Sequence, residues 1–192
     1  ISDQVTFKDN AEYWHLPFKS IDDYNDRYDV THGGLGLLPD LNTGNPNVQA
    51  MIRSFLEECL ADGVDGLRFD TAKHMELPSP LDDDTVSSNY WPVVLGGLKT
   101  NDGTTPFVYG ENLQGGADKF AEYTQLMDVT ASKYGETIRS IVGIGSTIDY
   151  FSDANFANYE SYSIPSGVDP SSLVTWVESH DTYANSPDVS LD

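Results

Sequence analysis

The sequence predicts an α/β fold in which parallel strands alternate with helices, and three observations carry that prediction. Three short apolar runs, at residues 63–74, 106–112 and 173–185, each finish on acidic residues and are separated by long connections, as parallel neighbours require. A capped helix directly precedes the first run, giving the helix-then-strand step of a parallel sheet. In α/β barrels, catalytic groups gather at the C-terminal ends of the strands, which is where these acids fall.

Residues 1–44 come first, rich in Asp, Asn, Tyr and Gly with little periodicity, and read as an irregular excursion that supports a ligand. Asp40 within it, read alone, is more simply a turn cap than a ligand. Asn45-Pro46 then opens a helix, with Asn as N-cap and Pro in the first turn. Val48, Met51, Ile52, Phe55, Leu56, Cys59 and Leu60 follow at helical spacing. Gly63 suits the left-handed position that ends it. The lone cysteine, Cys59, sits in that apolar stripe and reads as a buried thiol, with no internal disulfide possible.

The run beginning at Val64 reads as a buried strand. Alternation puts Val64, Gly66, Arg68 and Asp70 on one face and Asp65, Leu67 and Phe69 on the other. Arg68 and Asp70 are therefore neighbours, and a guanidinium favours the ionised carboxylate that a nucleophile must be. A purely structural Arg/Asp pair fits the segment equally well. Residues 75–105 read as a loop with a solvated acid run at Asp82, Asp83 and Asp84, then a helix beginning at Tyr90. Phe107 to Tyr109 is the next strand, followed by a helix near 117–125, a strand at 126–130 and a helix at 134–142. Residues 143–170 have no clear pattern; Pro165, Gly167 and Pro170 mark a loop before a strand at 173–178.

Composition excludes several classes. Thirty-one acids against ten Lys and Arg give a formal charge of −21, which repels phosphate backbones and anionic membranes, so neither is an expected partner. No apolar run approaches the roughly 18 residues of a membrane-spanning helix. At 192 residues the chain is shorter than the about 250 of a complete eight-stranded barrel. It starts at Ile1, and the expectation is an internal piece of a longer protein.

Taken together, Gly-Leu-Arg-Phe-Asp-Thr-Ala-Lys-His at 66–74, Tyr-Gly-Glu-Asn at 109–112 and Glu-Ser-His-Asp at 178–181 resemble the signature regions of the α-amylase family of glycoside hydrolases. Leu-Pro-Asp-Leu-Asn at 38–42 is similar to the short motif near the end of that family's protruding B domain. The resemblance implies a partial (β/α)8 TIM barrel over residues 45–192, about strands 4 to 7 with their helices, preceded at 1–44 by the end of domain B. It implies retaining, endo-acting hydrolysis of α-1,4-glucosidic bonds in starch. Asp70 would be the nucleophile, Glu111 the general acid and then base, and Asp181 the stabiliser of the transition state. Arg68, Lys73, His74, His180 and Asn185 would contact substrate, although His180 read alone is more simply a packed or surface histidine.

The resemblance further implies a structural Ca2+ held by the Asp40 carboxylate and the backbone carbonyls of Thr31 and His74. The family's Asn-His segment, another calcium ligand, would lie before Ile1. An α-glucan substrate, a monomeric whole and secretion complete the implied picture. An oligosaccharide α-glucosidase or glucan transferase of the same superfamily, or a carbohydrate-binding relative without catalysis, are the competing readings.

Overall fold

The computed structural model describes residues 10–36, 38–142 and 164–181. Four parallel strands form one sheet in chain order: β1 (Gly66–Phe69), β2 (Phe107–Gly110), β3 (Asp128–Thr130) and β4 (Leu173–Val174). The register sets Arg68 against Tyr109, Tyr109 against Asp128 and Val129 against Leu173. Because all four run the same way, the residues that follow each strand leave the sheet at one edge. Helices α1 (Arg27–His32), α2 (Pro46–Ala61), α3 (Tyr90–Leu95), α4 (Phe120–Tyr123) and α5 (Ser132–Val142) connect and precede them.

Local chemistry explains the clearest element. The Asn45 side chain accepts the Asn47 N–H, Pro46 starts α2, and Gly63 takes a φ of +100° just past its end. Val48, Leu56 and Leu60 are buried, while Met51 and Phe55 of the expected stripe are exposed. Cys59 is only half-buried, because the buried face of α2 is narrower than its apolar one.

In β1, Leu67 and Phe69 are buried while Gly66 and Arg68 are exposed. Leu67 and Phe69 thus meet the helices, in a core with Leu56, Leu60, Trp91, Val94, Phe120 and Tyr123. Trp91 organises it, with edge-on ring contacts to Phe69 (5.0 Å), Tyr90 (4.9 Å) and Tyr123 (6.2 Å), each worth about 0.5–1.5 kcal/mol beyond area burial. A side chain at Gly66 would meet the Phe107 carbonyl at 3.2 Å, so the crowding between β1 and β2 calls for glycine there.

Three further expectations are corrected. Asp82 is buried: Arg27 donates from Nε to Asp82 Oδ1 (2.9 Å) and from Nη2 to Asp82 Oδ2 (2.8 Å), a paired geometry that offsets the cost of burying the charge. The same guanidinium donates to the Lys73 and Met75 carbonyls at 2.5 and 2.9 Å, clamping α1 to the turn after β1. The strand expected at 173–178 spans only Leu173–Val174, and the helix near 117–125 only Phe120–Tyr123. Lys119 at the start of that helix has a left-handed φ of +48°, which prevents an earlier start.

Candidate active site

Asp70 follows β1 directly and Glu111 follows β2, so parallel pairing brings both carboxylates to the same end of the sheet. Arg68 projects from the exposed face of β1 and joins them. Its Nη1 donates to Asp70 Oδ1 at 2.5 Å, and its Nη2 lies 3.4 Å from Glu111 Oε2. Burial works against the Arg68 charge, but the Asp70 hydrogen bond and the charges of Glu111, Asp70 and Tyr109 outweigh it and raise its pKa. The two acids differ in exposure: the Asp70 side chain is 69% exposed and that of Glu111 only 9%.

Glu111 is fixed from several sides. Its N–H donates to the Phe69 carbonyl at 2.7 Å and its carbonyl accepts from Ala72 at 2.8 Å, so the chain beyond β2 is tied to the turn beyond β1. Its Oε2 accepts the Thr71 N–H at 3.0 Å. Thr71 has φ +47°, a left-handed conformation costly for a β-branched residue. The next residue, Asn112, is fully buried and donates from Nδ2 to the Asp118 carbonyl, while its N–H donates to Thr130 Oγ1 at the end of β3.

Asp181 lies beyond β4, exposed, with His180 Nε2 at 3.3 Å from its Oδ2. Glu111, His180 and Asp181 line one cavity of about 390 Å3 with Arg68, Tyr109 and Trp176. Asp70 does not line it and is connected to it through Arg68. Lys73 donates to the Leu113 carbonyl at 3.2 Å and lies 6.0 Å from the Tyr24 ring; burial lowers its pKa. His74 donates from Nδ1 to the Val30 carbonyl at 3.0 Å, and burial lowers its pKa too. Asn185 lies outside the described residues. Sequence reading missed Thr71, Tyr109 and Thr130, because nothing in their own segments marks them; only the register of neighbouring strands does.

The segments carrying the expected calcium ligands also meet. His74 holds the Val30 carbonyl beside Thr31, and Asp40 Oδ2 accepts from His15 Nδ1 at 2.5 Å, whose ring stacks on His32 at 4.2 Å. The Asp40 carboxylate is half-buried, and burial raises its pKa, opposed by His15. One carboxylate and two carbonyls are hard oxygen donors, so the set fits calcium in kind.

Acids collected at the C-terminal end of a parallel sheet, one exposed beside a guanidinium and one buried, define the class as an α/β enzyme. Comparison with known proteins supplies the family. The family model described as Alpha amylase, catalytic domain, matches residues 5–138, a span that includes Asp70 and Glu111 and excludes Asp181. The α-amylase of Butyrivibrio fibrisolvens is 36% identical over 189 residues, covering 90% of this chain and 19% of its own. Among solved structures, α-amylase I from Eisenia fetida superposes with a TM-score of 0.69 at 26% identity, covering 90% of this chain and 34% of its own. A mutant of that enzyme in complex with maltohexaose gives 0.69 at 25%, covering 88% and 34%. The chain therefore belongs to the α-amylase family of glycoside hydrolases, and it spans about a fifth of the curated relative and a third of the solved one.

Proposed function

We propose that this chain supplies the reacting carboxylates of an endo-acting, retaining α-1,4-glucan hydrolase. The observation that carries the reading is the single guanidinium of Arg68 contacting both Asp70 and Glu111 at one end of the sheet. Retention needs a nucleophile and an acid/base on either side of the scissile bond, with carboxyls about 5–5.5 Å apart. Asp70 attacks the anomeric carbon while Glu111 gives its proton to the leaving oxygen; Glu111 then takes a proton from the water that hydrolyses the glycosyl-enzyme ester. Asp181 stabilises the charge that develops on the sugar, and Arg68, Lys73, His74, His180 and Asn185 bind hydroxyls around it. The maltohexaose held by the mutant Eisenia enzyme supports a linear α-glucan as substrate.

In this reading residues 1–44 end a domain B, and 45–192 form strands 4 to 7 of a (β/α)8 barrel with their helices. Asp40, Thr31 and His74 would hold a calcium ion that pins domain B to the barrel. A substrate too large to cross a membrane supports secretion, and the complete protein is read as a monomer.

Soluble starch digested by the full-length parent protein tests the proposal, since the 192 residues alone are expected to be inactive. A spread of oligosaccharides with early viscosity loss is expected, whereas a single small product refutes endo action and a transglycosylated product points to a glucan transferase. Asp70→Asn should abolish turnover and spare glucan binding, and Glu111→Gln should lower kcat about 10²–10⁴-fold. Unchanged turnover in Asp70→Asn refutes the nucleophile.

A further inference from the structure

A second cluster of chemically active side chains lies outside the carboxylate site. His15, His32 and Glu76 come from three separate segments, yet one donor atom of each lies within 4.8 Å of the others. Glu76 is 3% exposed, and a carboxylate so buried needs a strong partner. One of its oxygens accepts from the Thr43 hydroxyl. The other faces His15 Nε2 at 3.6 Å, beyond hydrogen-bond length.

Each of the three also has a second contact, and on His15 and Glu76 it falls on the atom not turned to the other. His15 Nδ1 donates to Asp40 Oδ2 at 2.5 Å, which fixes the tautomer with a lone pair on Nε2. His32 Nδ1 pairs with Thr31 Oγ1 at 2.8 Å, and its ring is stacked between Tyr28 and His15, each centroid 4.2 Å away. Thr43 holds Glu76. An outer partner on every donor, including a carboxylate on a histidine, is the construction found around bound metals. A cavity of about 300 Å3 lined by His15, His32 and Asp40 adjoins the cluster and gives an ion a way in.

We propose that His15 Nε2, His32 and Glu76 Oε1 bind a zinc ion, with water in the fourth position. Two imidazoles and one carboxylate suit a borderline divalent cation, whereas calcium takes oxygen donors alone. Tetrahedral zinc at about 2.0–2.1 Å from each donor needs donors about 3.3 Å apart, and it must lie near the plane of both imidazoles, so His15 and His32, whose stacked rings stand 24° apart, turn out of their stack to meet the ion. The site is distinct from the calcium set, which uses the Asp40 carboxylate directly; here Asp40 only orients His15. Zinc here ties residues 15 and 32 to the chain just beyond β1, a structural role that does not rest on starch cleavage.

Titration of ZnCl2 into chelator-stripped protein, followed by calorimetry with saturating CaCl2 present, is the test. One zinc per chain at micromolar affinity or tighter is expected, with His15→Gln and His32→Gln each abolishing it and Asp40→Asn weakening it about 10–100-fold. Far-UV circular dichroism confirms that each variant is folded. On the unaltered protein, cobalt(II) should give the intense visible bands of a four-coordinate site. Absence of zinc binding, binding unaffected by both histidine variants, displacement of zinc by calcium, or a weak octahedral cobalt spectrum each overturns the proposal. Starch hydrolysis, measured separately, stands or falls without it.

Discussion

Thr71 holds a φ of +47°, and what this unfavourable conformation provides is direction: its N–H points at Glu111 Oε2. Arg68 provides the other half, because a planar guanidinium presents several donors in a fixed fork and can touch two carboxylates at once. A lysine at 68 keeps the positive charge and loses the fork. Arg68→Lys should therefore leave the protein folded and lower kcat about 10²-fold, the size of effect that misplacement by an ångström produces; steady-state kinetics beside a melting curve checks both halves. A second residue tests the electrostatics of a turn away from the site. The Asp102 pKa is lowered to about 2, first by the Thr100 hydroxyl and then by the Thr104 N–H and hydroxyl. With its folded value below the ordinary aspartate value of 3.8, this carboxylate adds stability that is fully present above pH 3.8 and is lost as pH falls toward about 2. An NMR titration should place its midpoint near 2 in the native protein, and a midpoint near 3.8 would remove those hydrogen bonds from the account.

Between elements, the close approach of the turn after β1 to the end of β2 carries the site. Gly110 ends β2, and a Cβ there would meet Ala72 Cβ at 2.7 Å and Met127 Sδ at 2.9 Å. Ala72 belongs to the turn containing Lys73 and His74, and its N–H reaches the Glu111 carbonyl. Gly110→Ala should thus cost about 1–3 kcal/mol through overpacking, a drop of roughly 2–4 °C in Tm per kcal/mol at this chain length. It should lower kcat as well, since the turn that must give way is the one holding Glu111. An unchanged melting temperature by circular dichroism would mean that the turn yields freely and does not position the acid. Helix α2 works differently: its ends are set by Asn45, Pro46 and Gly63, all local signals.

That difference explains what could be read along the chain and what could not. Caps and apolar runs act within a few residues, so α2, β1 and β2 were legible, as were Asp70 and Glu111 at the strand ends. Asp82 was not, since its partner Arg27 stands 55 residues away, and an acid run with no visible partner reads as solvated surface. His15, His32 and Glu76 likewise acquire meaning only when the chain brings them together. The charge of −21 is legible at once, and its consequence belongs to the whole molecule. Exposed pairs such as Arg53–Glu57 at 2.7 Å contribute about 0–1 kcal/mol each. Repulsion among the excess acids acts over the whole surface and opposes compaction. At about 0.01 M salt the screening length is roughly 30 Å, and at 0.1 M roughly 10 Å, so added salt weakens long-range repulsion more than it weakens pairs in contact. Raising NaCl from about 10 mM to about 100 mM in a chelating buffer should therefore raise Tm by about 2–4 °C, equivalent to about 1 kcal/mol. A falling Tm would show instead that the local ion pairs outweigh the net charge. Calcium added at matched ionic strength should raise Tm further by binding the native state, and an increment no larger than that from NaCl would count against the calcium ligands Asp40, Thr31 and His74.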